Sequence, residues 1–216
     1  MSYVHICSVF LNMCAAIIKP DSEQLFDIIE GQQGYFTTAQ AVEAGYSRST
    51  HTYHVEAGNW LRENRGIYRL KRYPQTDDGQ LVLWSLWTRN REGKEEGVYS
   101  HLTALRVNGL SDVNPSRIDM TVPPGFRRNS AVPPVLVLHR ATLPPDEIIR
   151  ERGYSVTTPM RAIVDLAVSG EADRGIIKQA LNEGRSRGLI TRKQIIAAHS
   201  RPDVPDWLQQ MMEAAD

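Results

Sequence analysis

The chain of 216 residues is 41% hydrophobic and 23% charged, which is enough apolar content to bury a core and enough length for two small domains. Its 25 basic and 25 acidic residues cancel, which excludes a whole-molecule field for polyanions, so any grip on nucleic acid must be local. The two cysteines, Cys7 and Cys14, exclude a disulfide scaffold and fit a reducing cytoplasm; no four-ligand zinc set occurs, and neither a metal nor a cofactor is expected.

The opening segment MSYVHICSVFLNMCAAIIK is apolar, but it has no Lys or Arg before Lys19, as a secretory signal would require. His5, Ser8 and Asn12 interrupt it as a membrane span, and no membrane partner is expected. Residues 1–20 read as an appended helix or strand. The rival reading is a start set too early, with Met13 the true initiator.

From residue 21 the signals are local and strong. Asp21 or Ser22 can cap a helix whose stripe is Leu25, Phe26, Ile28 and Ile29, ended by the glycines at 31 and 34. In YFTTAQAVEAGYS, Thr37 and Gln40 have capping-box spacing, and that helix stops near Gly45. Ser47 can cap a third helix, RSTHTYHVEA, ended by Gly58. Strands around 60–62 and 66–70 follow, joined through 63–65. Helix, glycine-containing turn, helix and hairpin over residues 21–74 make a winged helix-turn-helix.

Charge supports the same assignment. Residues 45–72 hold six basic residues, Arg48, Arg62, Arg65, Arg69, Lys71 and Arg72, against Glu56 and Glu63, and the rest of the chain holds 19 basic and 23 acidic residues. A nucleic-acid reader joined to a part that must not bind nucleic acid has this asymmetry, although basic clusters of this size also arise by chance. The candidate DNA contacts are Thr38, Ser47, Arg48, Ser49, Thr50, His51, Arg62, Arg65 and Arg69. Hydroxyls, amides and a guanidinium at the start of a recognition helix suit phosphates and base edges, with Arg48 the best base reader. Arg62, Arg65 and Arg69 on the wing suit phosphates. His51 and His54, three apart, share a helix face; His54 reads as core filler beside Val55, ahead of DNA contact and with metal binding last, while His51 could go either way.

Residues 75–216 change pattern. GQLVLWSLWTRN reads as a buried helix, Ser100 as the cap of HLTALRVNG, RIDMTV as an alternating strand, and PVLVLHR as a strand in a sheet interior. Thr158 before Pro159 marks a helix start, with Arg161 and Asp165 a structural ion pair one turn apart. Helices near 172–182 and 192–199 and a terminal one from Asp206 complete an α/β (α+β) domain with a small sheet. In the last helix Trp207, Leu208, Met211, Met212 and Ala215 form one stripe whose host is the second domain itself, or a second copy or partner protein.

YFTTAQAVEAGYSRST, HVEAGNWLRENRGIYRLKRYP, LVLWSLW, SHLTALRVNGLSD, RIDMTVP, PVLVLHRATLP and VTTPMRAIVDLA follow one another over about residues 22–170. Together they resemble the AbiEi-type antitoxins of abortive-infection toxin–antitoxin systems. The resemblance implies an N-terminal DNA-binding domain that represses its own operon. It also implies a C-terminal domain that counteracts a nucleotidyltransferase-like toxin, commonly without a stable complex. Operator DNA and that toxin are the implied partners, and a homo-oligomer on DNA is expected.

Two other classes stay open. A stand-alone winged-helix regulator would share every residue named so far. A metal-dependent nucleotidyltransferase would need paired carboxylates; Gly109, Ser111 and Asp119 sketch that layout, but Met120 and Thr121 follow Asp119, and one acid cannot hold two metals. A nuclease-like extension found in some relatives does not fit before Asp216, and no G-x-S-x-G, P-loop or H-E-x-x-H occurs. A non-enzyme is expected.

Overall fold

The computed structural model describes residues 20–112 and 115–214. The readings of the opening segment and of Ala215 lie outside the described residues. The architecture is α+β, with a three-stranded sheet in the first unit and a five-stranded sheet in the second.

Helix α1 (Ser22–Gly31) starts where the Asp21 carboxylate accepts the amides of Glu23 at 2.9 Å and Gln24 at 3.0 Å. Leu25 and Ile29 are its buried positions, whereas Phe26 is half exposed, so the apolar stripe is narrower than expected. A short strand β1 (Tyr35–Thr37), unforeseen in the sequence, follows. Helix α2 (Thr38–Glu43) carries the expected capping box: the Gln40 amide donates to Thr37 Oγ1, and Gln40 Oε1 accepts the Thr37 amide at 2.9 Å.

Next come α3 (Thr50–Glu56) and the hairpin of β2 (Trp60–Asn64) and β3 (Ile67–Leu70). The hairpin turns at Arg65–Gly66, two residues later than the expected 63–65 connection. Asn64 pairs with Ile67, and the register shift between Arg62 and Asn64 places a bulge at Glu63. β3 lies between β1 and β2, antiparallel to both. On one face of this sheet Phe36, Trp60 and Tyr68 close a core with Leu25, Ile29 and Ala41. The Phe36 ring meets the Trp60 ring edge-on at 4.9 Å.

In the second unit the sheet order is β6-β5-β4-β8-β7. It is built from β4 (Val98–Tyr99), β5 (Ile118–Val122), β6 (Leu136–Arg140), β7 (Ile148–Glu151) and β8 (Tyr154–Thr157). β5 runs parallel to β6 and antiparallel to β4, and β4 runs parallel to β8. PVLVLHR therefore forms an edge strand, not an interior one. Leu136 is buried in the second core with Val135 and Leu138 against it, and the far end of the strand, Arg140, is exposed.

The helices are α4 (Gly79–Trp87), α5 (His101–Val107), α6 (Pro159–Ser169), α7 (Arg174–Ser186), α8 (Arg192–His199) and α9 (Asp206–Glu213). Thr158 caps α6 by accepting the Arg161 amide, with Pro159 in the first turn as expected. Leu208 and Met212 of α9 are buried in the second core, so the terminal helix packs on its own chain. The Arg174 guanidinium lies over the Trp207 ring at 4.8 Å and covers the stripe from outside.

The two units are docked. Alternation along β1 and β3 turns Tyr35, Ile67 and Arg69 away from Phe36 and Tyr68. Tyr35 and Ile67 join the core of the second unit, whose helix α4 covers that face. On the far side the β7–β8 turn meets the end of α1: Arg152 Nε donates to Glu30 O at 2.8 Å, and Gln33 Nε2 donates to Arg152 O at 3.1 Å. Gly153, at φ +89°, is required there, because a Cβ would fall 3.2 Å from Gln32 Cα and 3.0 Å from Val82. Among the described residues no helix is long and apolar enough to cross a membrane.

Candidate nucleic-acid interface

The loop before α3 is a tight turn in which the Ser47 carbonyl accepts both the amide of Thr50 at 3.0 Å and its hydroxyl at 2.8 Å. Ser47 Oγ lies 2.8 Å from Ser49 Oγ, so the two hydroxyls occupy one another. The capping residue is Ser49 rather than Ser47, and no side-chain oxygen caps the helix. Local hydroxyl pairing has displaced the expected cap. Arg48 stands exposed in this turn.

The outward side of α3 carries Ser49, Thr52, Tyr53 and Glu56, all exposed, with Tyr53 at 65%. Thr52 and Tyr53 were not among the residues named from sequence. The signal for them was available, since they lie one turn beyond Ser49 on the side opposite His51 and Val55.

His51 is corrected by the structure. It is 4% exposed, its Nε2 lies 3.2 Å from Tyr46 O, and its ring packs against Trp60 and Tyr68. A ring enclosed this way cannot reach a base edge. His54 is the core filler expected, stacked on Trp60 at 4.5 Å; desolvation, and then the neighbouring His51, hold its imidazole below the ordinary range.

The wing divides its arginines. Arg62 and Arg65 are exposed. Arg69 is corrected: it is 7% exposed, its Nε donates to Glu63 Oε1 at 2.8 Å, and its guanidinium lies 5.9 Å from the centre of the Tyr35 ring. The strand places it on the face that the second unit covers. The positive excess survives, because Arg69 and Glu63 neutralise each other. Arg48, Arg62, Arg65, Lys71 and Arg72 are exposed, and none forms an ion pair among the described residues. Thr38 is tied to the wing, its amide at 2.9 Å and its hydroxyl at 3.4 Å from Gly66 O, so it fixes the turn that presents Arg65.

The second unit holds a different constellation. Asp119, the single acid of the nucleotidyltransferase-like layout, is buried, and its Oδ1 lies 3.2 Å from His139 Nε2. No second carboxylate stands beside it on β5. The His139 ring stacks on His101 with centroids 3.6 Å apart. His101 Nδ1 lies 2.9 Å from Ser100 Oγ, and Ser100 Oγ in turn accepts the Thr121 hydroxyl at 2.9 Å, so Ser100 holds a side chain instead of capping α5. Burial, then the facing His139, push His101 down to about 4, against a smaller opposing pull from Asp119. On α6, Arg161 bonds Asp165 at 2.7 Å and also Glu147, as a structural ion pair should; burial raises the Asp165 carboxyl and Arg161 opposes that rise.

The crystal structure of the RV2827C protein from Mycobacterium tuberculosis has the same fold with a TM-score of 0.56 at 13% identity, covering 88% of this chain and 74% of that one. No curated protein matches the chain. Residues 23–71 match the family described as "Transcriptional regulator, AbiEi antitoxin", a stretch shorter than the 22–170 over which the motifs extend the resemblance. That stretch begins in α1 and ends one residue past β3, so the helices and wing just described are the part of the chain that is similar to that family.

Proposed function

We propose that the chain is a cytoplasmic DNA-binding antitoxin that represses its own toxin–antitoxin operon and counteracts a nucleotidyltransferase-like toxin. In this reading residues 21–74 bind the operator and 75–216 act on the toxin. The observation that carries it is the juxtaposition of an exposed Arg48 before α3 with exposed Arg62 and Arg65 on the wing, none in an ion pair among the described residues, within a segment that matches a regulator family. Arg48 and the outward residues Ser49, Thr52 and Tyr53 meet base edges in the major groove, while the wing arginines hold phosphates. Thr38, Ser47 and Thr50 shape the turns that present them. One winged unit makes few phosphate contacts, so repression uses two copies on repeated half-sites.

The test is a mobility-shift series on the DNA upstream of the gene, joined to rescue of cells that express the adjacent gene. Arg48→Ala should relax sequence preference, by about 1–3 kcal/mol if the contact is bidentate to guanine. Full-length protein, and not the winged unit alone, should rescue growth. Failure to prefer upstream DNA over unrelated DNA at any salt concentration sinks the operator reading. Failure to rescue sinks the antitoxin reading and leaves a regulator.

A further inference from the structure

The register of the second sheet brings four pieces of chain to one of its ends: the segment before β4, the segment after β5, the last residue of β6, and the β7–β8 turn. The β7–β8 turn is the one that docks on α1, so this end of the sheet is the one joined to the winged unit. Six basic residues collect there, Arg89, Arg91 and Lys94 before β4, Arg127 and Arg128 after β5, and Arg140 closing β6, against the acids Glu92, Glu95 and Glu96. We infer that this end of the second unit holds the phosphate backbone of the duplex that the winged unit binds, through Arg91, Arg127, Arg128 and Arg140. The choice of duplex DNA as the polyanion rests on the proposal that residues 21–74 bind an operator.

The acids do not cancel the cluster. Glu95 is taken by Arg89 at 2.8 Å, and Glu96 acts on Arg128 without forming an ion pair. Residues 123–140 contain no acid at all. Arg91, Lys94, Arg127, Arg128 and Arg140 are exposed, and none forms an ion pair among the described residues. Two of these arginines are held in place by the backbone. Arg128 Nη1 donates to Arg89 O at 2.8 Å while its guanidinium lies 5.2 Å from the centre of the Trp87 ring. Arg140 Nη1 donates to Pro124 O and Phe126 O, both at 3.0 Å. Each spends one nitrogen of its fork on carbonyls and leaves the other two without a hydrogen-bond partner among the described residues. A guanidinium already fixed, with donors still open, loses little freedom on meeting a phosphate and can bond two of its oxygens at once. Stapling a loop accounts for one nitrogen of each arginine and not for the solvated charges of Arg91 and Arg127.

Helix α4 gives the distance between the two surfaces. Its first residue, Gly79, lies against β1, since a Cβ built there would fall 3.3 Å from the Tyr35 ring, and its last, Trp87, carries Arg128 on its ring. Nine residues of helix are about 13 Å long. Duplex DNA bears one charge per about 1.7 Å of its axis, so a step of that size corresponds to about eight further phosphates on the same molecule. Once the winged unit is seated, the second contact forms at the effective concentration set by the first. Contacts of this kind add grip and salt dependence and carry no sequence information.

The experiment follows the fluorescence anisotropy of labelled upstream DNA, and of unrelated DNA of equal length, with the full chain at several salt concentrations. Arg91→Ala/Arg127→Ala removes two side chains that make no hydrogen bond or ion pair among the described residues. It should lower the slope of log K against log salt by about 1.8, at about 0.9 per lost phosphate contact, and weaken both duplexes by the same factor, with an unchanged urea midpoint. Lys178→Ala/Lys193→Ala removes the same charge from exposed positions on α7 and α8 and should leave the slope as it is. An unchanged slope in Arg91→Ala/Arg127→Ala overturns the inference. So does an equal fall in both double variants, which would make net charge the cause, and so does a loss confined to duplex RNA. The operator reading is separated by the parent protein: preference for upstream DNA with no slope change in Arg91→Ala/Arg127→Ala sinks only this inference. No preference together with a lowered slope sinks the operator reading and leaves the second unit on DNA.

Discussion

The wing and the second sheet handle charge in opposite ways. In the turn before α3 and on the hairpin, Arg48, Arg62 and Arg65 stand in solvent without acidic partners among the described residues. In the second unit Arg161 is buried and bonded to both Asp165 and Glu147, and Arg201 reaches Glu147 at 3.5 Å and Asp203 at 2.7 Å. A desolvated guanidinium must be paired to be tolerated, whereas a solvated one keeps its donors free for a ligand. The difference teaches that basic residues near a wing are not equivalent. Arg69 follows the buried rule although it lies between exposed neighbours, because the second unit covers its side of β3.

The largest expected effect comes from breaking the buried set. Arg161→Ala removes the partner of two carboxylates at once and leaves Asp165, whose Oδ2 already lacks a partner, uncompensated. Urea unfolding should show a loss of about 3–5 kcal/mol. Arg161→Met combined with Asp165→Leu should recover most of it, since paired apolar replacements remove the stranded charge along with its partner. A single variant as stable as the parent would mean that water reaches the pair freely.

Acid should produce the next effect. His101 is neutral in the fold, with its folded value near 4 against 6.5 for the free side chain. Between those values the unfolded chain takes up a proton that the folded chain refuses, so stability falls as pH drops from 6.5 toward 4 and levels off below. At about 1.4 kcal/mol per unit the loss is on the order of 3 kcal/mol. Urea midpoints at pH 7 and pH 4.5 measure it. His101→Asn, which tolerates positive φ, should flatten this part of the profile. An equal acid loss in that variant would place its source elsewhere.

A third variant tests the division within the wing. Arg69→Ala leaves Glu63 unpaired at the bulge and uncovers Tyr35, which predicts a loss of about 1–3 kcal/mol in chemical denaturation. Salt dependence of DNA binding should hardly change, because Arg69 is buried and its charge is paired with Glu63. A steep fall in DNA affinity with unchanged stability would return Arg69 to the interface.

What could be read in the sequence follows the reach of each interaction. The Thr37–Gln40 box, the Asp21 cap and Thr158 before Pro159 act within one helical turn, and all three stand in the structure where the sequence puts them. β1, β4, β7 and β8 have two to four residues each, too few for periodicity to announce them. Arg48, Arg62 and Arg65 were legible as exposed charges. His51 stayed open between core and DNA, and Arg69 was misplaced, for one reason: which face of an element is covered depends on what docks there, Trp60 and Tyr68 in one case and the second unit in the other. His101 and His139 carry no spacing signal at all, and only the fold brings their rings together.

The smallest stability effect belongs to Arg65, and it completes the comparison with Arg69. The Arg65 amide donates to Asn64 Oδ1 at 2.6 Å, and the turn is held from below by Thr38 on Gly66 O, so the backbone at the wing tip does not depend on the Arg65 side chain. That side chain is exposed and makes no ion pair among the described residues. Arg65→Ala should therefore leave unfolding within about 0.5 kcal/mol of the parent. If its guanidinium neutralises a phosphate, its removal should reduce the slope of log K against log salt by about 0.9 and weaken all DNA sequences alike. Fluorescence anisotropy on specific and unrelated duplexes at four or five salt concentrations reads both quantities. An unchanged slope would take the wing tip off the phosphate backbone and confine contact to α3. A slope change confined to the specific duplex would make Arg65 a base reader instead.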